Sequence, residues 1–135
     1  MLKVFRIALG AFLIAHGVAH FVATSVYWKL FDSAKLPYTT EVLAGRLDLG
    51  ETGVAIFGLL WLLAGTGMAF TGTGVMVKAR RAVSWLLAAT VFSLVLCIFA
   101  PDKASVGIVI DLMILGVLFA GLRLPFRALW TAEAR

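Results

Sequence analysis

The sequence predicts an all-α integral membrane protein, a bundle of four transmembrane helices with both termini in the cytoplasm. Three observations lead there. Of 135 residues, 62% are hydrophobic and only 14% are charged, with a mean hydropathy of +1.03. A soluble domain averages roughly half apolar and a quarter charged, and could not cover this much apolar side chain. Second, four separate apolar runs are each long enough to cross a hydrocarbon core of about 30 Å, which takes about 20 helical residues. Third, Lys and Arg fall unevenly on the two sides of the resulting model, as cytoplasmic loops require.

The first span runs from about Phe5 to Tyr27 and ends at Trp28 and Lys29. The second extends from Gly53 to about Val75, and Lys78, Arg80 and Arg81 separate it from the third, Ala82 to Ala100. Pro101, Asp102 and Lys103 read as a tight turn before the fourth, Ala104 to Leu122. Pro125, with Arg123 and Arg127, stops that last span, because proline cannot extend the hydrogen-bond ladder. Residues 1–20 also resemble a secretory signal, with Lys3 and Arg6 before Ile7 to Ala15 and a small-residue site at Gly17-Val18-Ala19. The uncharged run continues to Trp28, which favours a true span.

Lys3, Arg6, Lys78, Arg80, Arg81, Arg123, Arg127 and Arg135 lie on one side. Lys29, Lys35, Arg46 and Lys103 lie on the other, beside Asp32, Glu41, Asp48, Glu51 and Asp102. The basic side is cytoplasmic, which places the termini inside; the expected setting is that of a multi-pass protein of a bacterial inner membrane. The long connection, residues 28–50, is on the outside. Its amphipathic piece, Thr40 to Leu49, could form a short interfacial helix. Trp28 and Trp130 read as interfacial anchors.

Helices in lipid associate through small residues and polar pairs. The first span offers Ala11, Ala15, Ala19 and Ala23 at four-residue spacing, and the second and fourth are rich in glycine. Next to that alanine row stand His16 and His20, one turn apart on one face. Asp111 is the acid deep inside an apolar run, where it costs about 2.5–3.5 kcal/mol on the insertion scale unless it faces a partner or water. Counting about 1.5 Å per residue from the outer ends puts His20 and Asp111 both roughly 10 Å deep, with His16 a turn deeper. Glu51 stands at the outer mouth of the second helix, where the helix dipole favours an acid. Ser93 and Cys97 share one row of the third helix and could add weaker polar atoms.

Such a cluster suits three chemistries. His16, His20 and Asp111 could ligate a first-row metal ion such as zinc, iron or manganese. The same residues, with Glu51 at the entrance, could form a proton relay or hydrogen-bond the head of a quinone-like molecule. The structural alternative is one His20–Asp111 hydrogen bond that fixes helix register. Haem is disfavoured, because both histidines come from one helix. A single cysteine excludes an intrachain disulfide or a Cys-rich cluster. No Gly-rich loop ends in Gly-Lys-Ser/Thr, so no nucleotide site is expected. The net charge of +5 sits in short clusters beside the spans, which argues against nucleic acid.

Arg6-Ile7-Ala8-Leu9-Gly10, followed by Ala15-His16-Gly17-Val18-Ala19-His20, resembles the opening helix of the DoxX-like superfamily of small bacterial four-helix membrane proteins. Members often carry a lysine after the Gly motif, where this chain has His20. The resemblance implies a role in membrane redox or sulfur metabolism for some relatives. The functional expectation is therefore a ligand-, metal- or quinone-binding protein with an outer-half polar site, as a subunit of a membrane redox complex. The alternative is a non-catalytic scaffold, a transporter component or a homodimer joined through Gly/Ala faces. No particular reaction is assigned by the sequence.

Overall fold

The computed structural model describes residues 2–31, 34 and 36–123, with side chains between 3 and 120. Asp32, Lys35, Pro125, Arg127, Trp130 and Arg135 lie outside the described residues. Four helices follow the four apolar runs: α1 Leu2–Tyr27, α2 Gly50–Met76, α3 Ala82–Phe99 and α4 Pro101–Arg123. All four are long and apolar enough to cross a membrane. Many large apolar side chains stay on the outside, among them Phe12, Ile56, Leu63, Phe70, Val95 and Met113. A lipid bilayer is the solvent that such a surface fits.

Two connections depart from expectation. Pro101 to Lys103 are the first turn of α4 rather than a loop, and the backbone breaks at Ala104 (φ −122, ψ 23). Proline suits a first helical position, since its missing N–H has no intrahelical partner there. The Thr40–Leu49 segment is not a helix. It is a hairpin of β1 Glu41–Val42 and β2 Leu47–Asp48, with Glu41 opposite Asp48 and Val42 opposite Leu47. Leu43, Ala44 and Gly45 all have positive φ (54, 56 and 79), a run that no right-handed helix can contain. Val42 is buried beneath the hairpin, and the Leu43 N–H donates to the Phe99 carbonyl at 2.7 Å, capping the end of α3.

α1 and α2 make the most intimate contact of the bundle. The alanine row does not form it, since Ala11, Ala15 and Ala19 are exposed. Glycines do. A Cβ on Gly10 would stand 2.6 Å from the Gly72 carbonyl oxygen, and one on Gly72 would stand 2.6 Å from that of Gly10. Gly17 and Gly65 repeat the arrangement at 2.6 and 2.7 Å. At the next step the Thr24 hydroxyl donates to the Gly58 carbonyl at 3.2 Å. These contacts recur every seven residues on both helices, the spacing that keeps a seam facing its partner along a left-handed antiparallel pair. Arg6 Nε donates to the Met76 carbonyl at 3.1 Å, which satisfies an orphan acceptor at the negative end of α2.

Two apolar clusters fill the interior. Tyr27, Phe57, Trp61 and Leu96 gather near the loop end, and Leu13, Met68, Leu86 and Leu118 near the termini. Between them lies a layer of buried polar side chains. On the remaining side α1 and α4 pack loosely, and the seam between them opens into clefts.

Candidate functional site

The polar layer is built from three helices. His16 and His20 project from one face of α1 because residues four apart are neighbours on a helix. Gly17 keeps the backbone of α1 close to α2, so its histidine face turns toward α3 and α4. Ser93 and Cys97 occupy one row of α3, and Asp111 projects inward from α4. Ser93 and Asp111 have no exposed surface, and His16 and His20 retain 7% and 3%.

These groups form one connected chain. His16 Nε2 lies 3.0 Å from Asp111 Oδ1. The other carboxylate oxygen is 2.6 Å from Ser93 Oγ, which is itself 2.7 Å from His20 Nε2. His20 Nδ1 is 2.9 Å from the His16 carbonyl oxygen, which can only accept, so Nδ1 carries a hydrogen. Cys97 Sγ approaches Asp111 Oδ2 at 3.8 Å. The two imidazoles stand edge to face with centroids 4.9 Å apart, and His20 leans on Trp61 at 5.2 Å. Asp111 is thus provided with the hydrogen bonds that a buried acid needs.

The pairing corrects the depth count. His16, not His20, contacts Asp111 directly, and His20 reaches it through Ser93. Because α4 begins at Pro101, Asp111 lies ten residues from its loop end, and His16 lies eleven from the end of α1. At about 1.5 Å per residue those depths are roughly 15 and 16 Å. Glu51 is not part of the cluster. It stays exposed at the loop end, accepting from Lys29 Nζ at 2.9 Å and from the Tyr38 hydroxyl at 2.7 Å. The hydrogen bond to Glu51 pushes both the Lys29 ammonium and the Tyr38 phenol above their ordinary values.

A cleft of about 220 Å³ opens onto this layer between α1 and α4. Its walls are apolar, including Val22, Val26, Val106 and Ile110, and its floor holds His16, His20, Cys97 and Trp61. Leu36 from the loop reaches the cleft, and Lys103 Nζ holds that loop down by donating to the Pro37 carbonyl at 2.7 Å. Two polar atoms here have no protein partner among the described residues. One is His16 Nδ1, on a ring that lines the cleft and whose Nε2 is taken by Asp111. The other is the buried indole N–H of Trp61. An orphan donor of this kind costs about 1–3 kcal/mol until it finds an acceptor.

Metal ligation gains nothing from this geometry. Among the described residues, no three His, Cys, Asp or Glu side chains are arranged to hold an ion. Both nitrogens of His20 are engaged by a backbone carbonyl and a hydroxyl. Ser93 and Trp61 are the parts of the site that sequence reasoning undervalued. The seven-residue spacing of Gly10 and Gly17, and of Gly58, Gly65 and Gly72, was the available signal for the seam. Comparison with protein-family models, with curated proteins and with solved structures gives no match.

Proposed function

We propose that this small multi-pass membrane protein binds a quinone-like amphipathic molecule in the cleft between α1 and α4. The observation that carries the reading is His16 Nδ1, an acceptor left free at the cleft while Asp111 holds the opposite nitrogen. With Nε2–H donated to Asp111, Nδ1 presents a lone pair. It therefore selects a ligand that offers a hydroxyl, as a hydroquinone does. A dry cavity of about 150 Å³ takes up benzene, so a cleft of about 220 Å³ has room for one substituted six-membered ring. The open seam lets an apolar tail remain among the lipid chains.

The His16–Asp111 pair also suits proton exchange with such a ring, because a carboxylate orients the imidazole and stabilises its charged form. The setting we propose is a subunit of a membrane redox system, in keeping with the DoxX-like character of the first span. The excess of Lys and Arg near the termini and residues 78–81 supports an N-in, C-in orientation in a bacterial inner membrane, with the cleft in the outer half.

The test is binding of a short-tailed hydroquinone to the protein in lipid nanodiscs, followed by tryptophan fluorescence. Its dimethyl ether, which lacks the hydroxyls, is the control. The hydroquinone should bind saturably, the ether should bind at least about tenfold more weakly, and His16→Ala should erase the difference, as loss of one such hydrogen bond implies. Equal binding of both compounds, or an unchanged preference in His16→Ala, would refute the reading.

A further inference from the structure

The hydrogen positions in the polar layer can be counted, and the count comes out one proton high. His20 Nδ1 must carry a hydrogen, because it faces the His16 carbonyl at 2.9 Å. If His20 is neutral, its Nε2 is a bare acceptor 2.7 Å from Ser93 Oγ, and the serine hydroxyl must point at it. Ser93 has only one hydrogen, so the 2.6 Å contact between its Oγ and Asp111 Oδ2 then needs a hydrogen on the carboxyl. If Asp111 is instead a carboxylate, Ser93 donates to it, and Nε2 must be an N–H that donates to Ser93. That makes His20 an imidazolium. A carboxylate together with a neutral His20 leaves one of these short contacts with two lone pairs face to face.

We infer that Asp111, Ser93 and His20 together form a buried proton-binding site, holding one proton beyond those of a carboxylate and a neutral imidazole. The two arrangements contain the same atoms and interconvert without loss of a proton. The Nε2 hydrogen of His20 passes to Ser93 Oγ as the original serine hydrogen passes to Asp111 Oδ2. Each of the three contacts is hydrogen-bonded in both. His16 connects this store to the cleft, since its Nε2 contacts the free edge of the same carboxyl group. The inference stands on the geometry of the layer and does not depend on what occupies the cleft.

The groups facing the site are few. On α1 the neighbour of His20 is His16, on α2 it is the uncharged Trp61, on α3 they are Ser93 and Cys97, and on α4 it is Asp111. Lys103 and Tyr27 line the same cleft. Nothing else titratable touches the shared proton among the described residues.

The chain has only two histidines, which makes the test direct. Nitrogen-15 NMR of histidine-labelled protein in nanodiscs reports which ring nitrogens are protonated. Infrared difference spectroscopy reports whether Asp111 is a carboxylic acid, with its band assigned by Asp111→Asn or by carbon-13 aspartate should that variant fail to fold. At neutral pH the expected result is either a protonated Asp111 with His20 neutral, or a carboxylate with His20 doubly protonated. On raising the pH a single proton should leave the site, so that only the group holding it changes its signal, and Ser93→Ala, which removes the bridging hydroxyl, should show a carboxylate beside a neutral His20 at neutral pH. A carboxylate beside a neutral His20 in the wild type at neutral pH would overturn the inference. So would release of two protons from the wild type, one from an acid Asp111 and one from a doubly protonated His20.

Discussion

Replacing Gly17 with alanine isolates the contact that sets the spacing of α1 and α2. The added Cβ would lie 2.6 Å from the Gly65 carbonyl oxygen, 3.0 Å from the Ala69 nitrogen and 3.1 Å from Met68 Cβ. Ordinary contact begins at 3.4 Å, so the helices must separate by 3.4 − 2.6 = 0.8 Å. The obstacles are backbone atoms and a Cβ, so no rotamer change relieves them. Overpacking of this kind costs about 1–3 kcal/mol, against which alanine returns up to about 1 kcal/mol in helix propensity. Gly116→Ala supplies the baseline, because a Cβ there meets nothing within 4 Å. Reversible unfolding in mixed micelles should show Gly17→Ala less stable than Gly116→Ala by about 1–3 kcal/mol. Gly65→Ala should behave like Gly17→Ala. The double variant should cost less than both singles added, since one separation of the helices relieves both clashes. Equal stability of Gly17→Ala and Gly116→Ala would refute the reasoning.

Two further predictions address the loop end and the orientation. The Thr40 hydroxyl and the Gly50 N–H hold the Asp48 carboxyl below its usual 3.8. A depressed acid contributes stability above its unfolded value and loses it as pH falls through the folded one. Hairpin protection measured by hydrogen exchange should therefore decline only below the usual aspartate range, and Thr40→Val should move the Asp48 NMR titration upward. For orientation, a cysteine at Arg80 in a Cys97→Ser background should react with an impermeant thiol reagent only after spheroplasts are opened, and one at Asp48 should react in intact spheroplasts. The reverse pattern would place the cleft in the inner half of the membrane.

Much of the fold was legible because the signal for a membrane helix is length and hydropathy, and four such runs cannot be hidden. The ends were less so. The sequence suggests a tight turn at Pro101 to Lys103, although proline also starts helices, and that shift of three residues misplaces Asp111 by about a turn against α1. The Thr40–Leu49 hairpin escaped because its turn depends on Leu43 and Ala44 adopting positive φ, which neither residue type advertises. The exposed Ala11, Ala15 and Ala19 show the limit of small-residue spacing as a guide. Alanine permits close approach, but only glycine at Gly10 and Gly17 lets carbonyls lie against the opposing backbone. The identities of His16, His20 and Asp111 were evident, whereas their wiring was not. It runs through Ser93, a residue whose role depends on which α3 face meets α4.

The glycine seam joins α1 and α2 into one helical hairpin, while α3 and α4 form another that packs on the first through α2 and α3. The two histidines belong to the first hairpin, and Ser93 and Asp111 to the second. The proton network is therefore a latch between halves: separating them would strand an aspartate and two imidazoles in hydrocarbon.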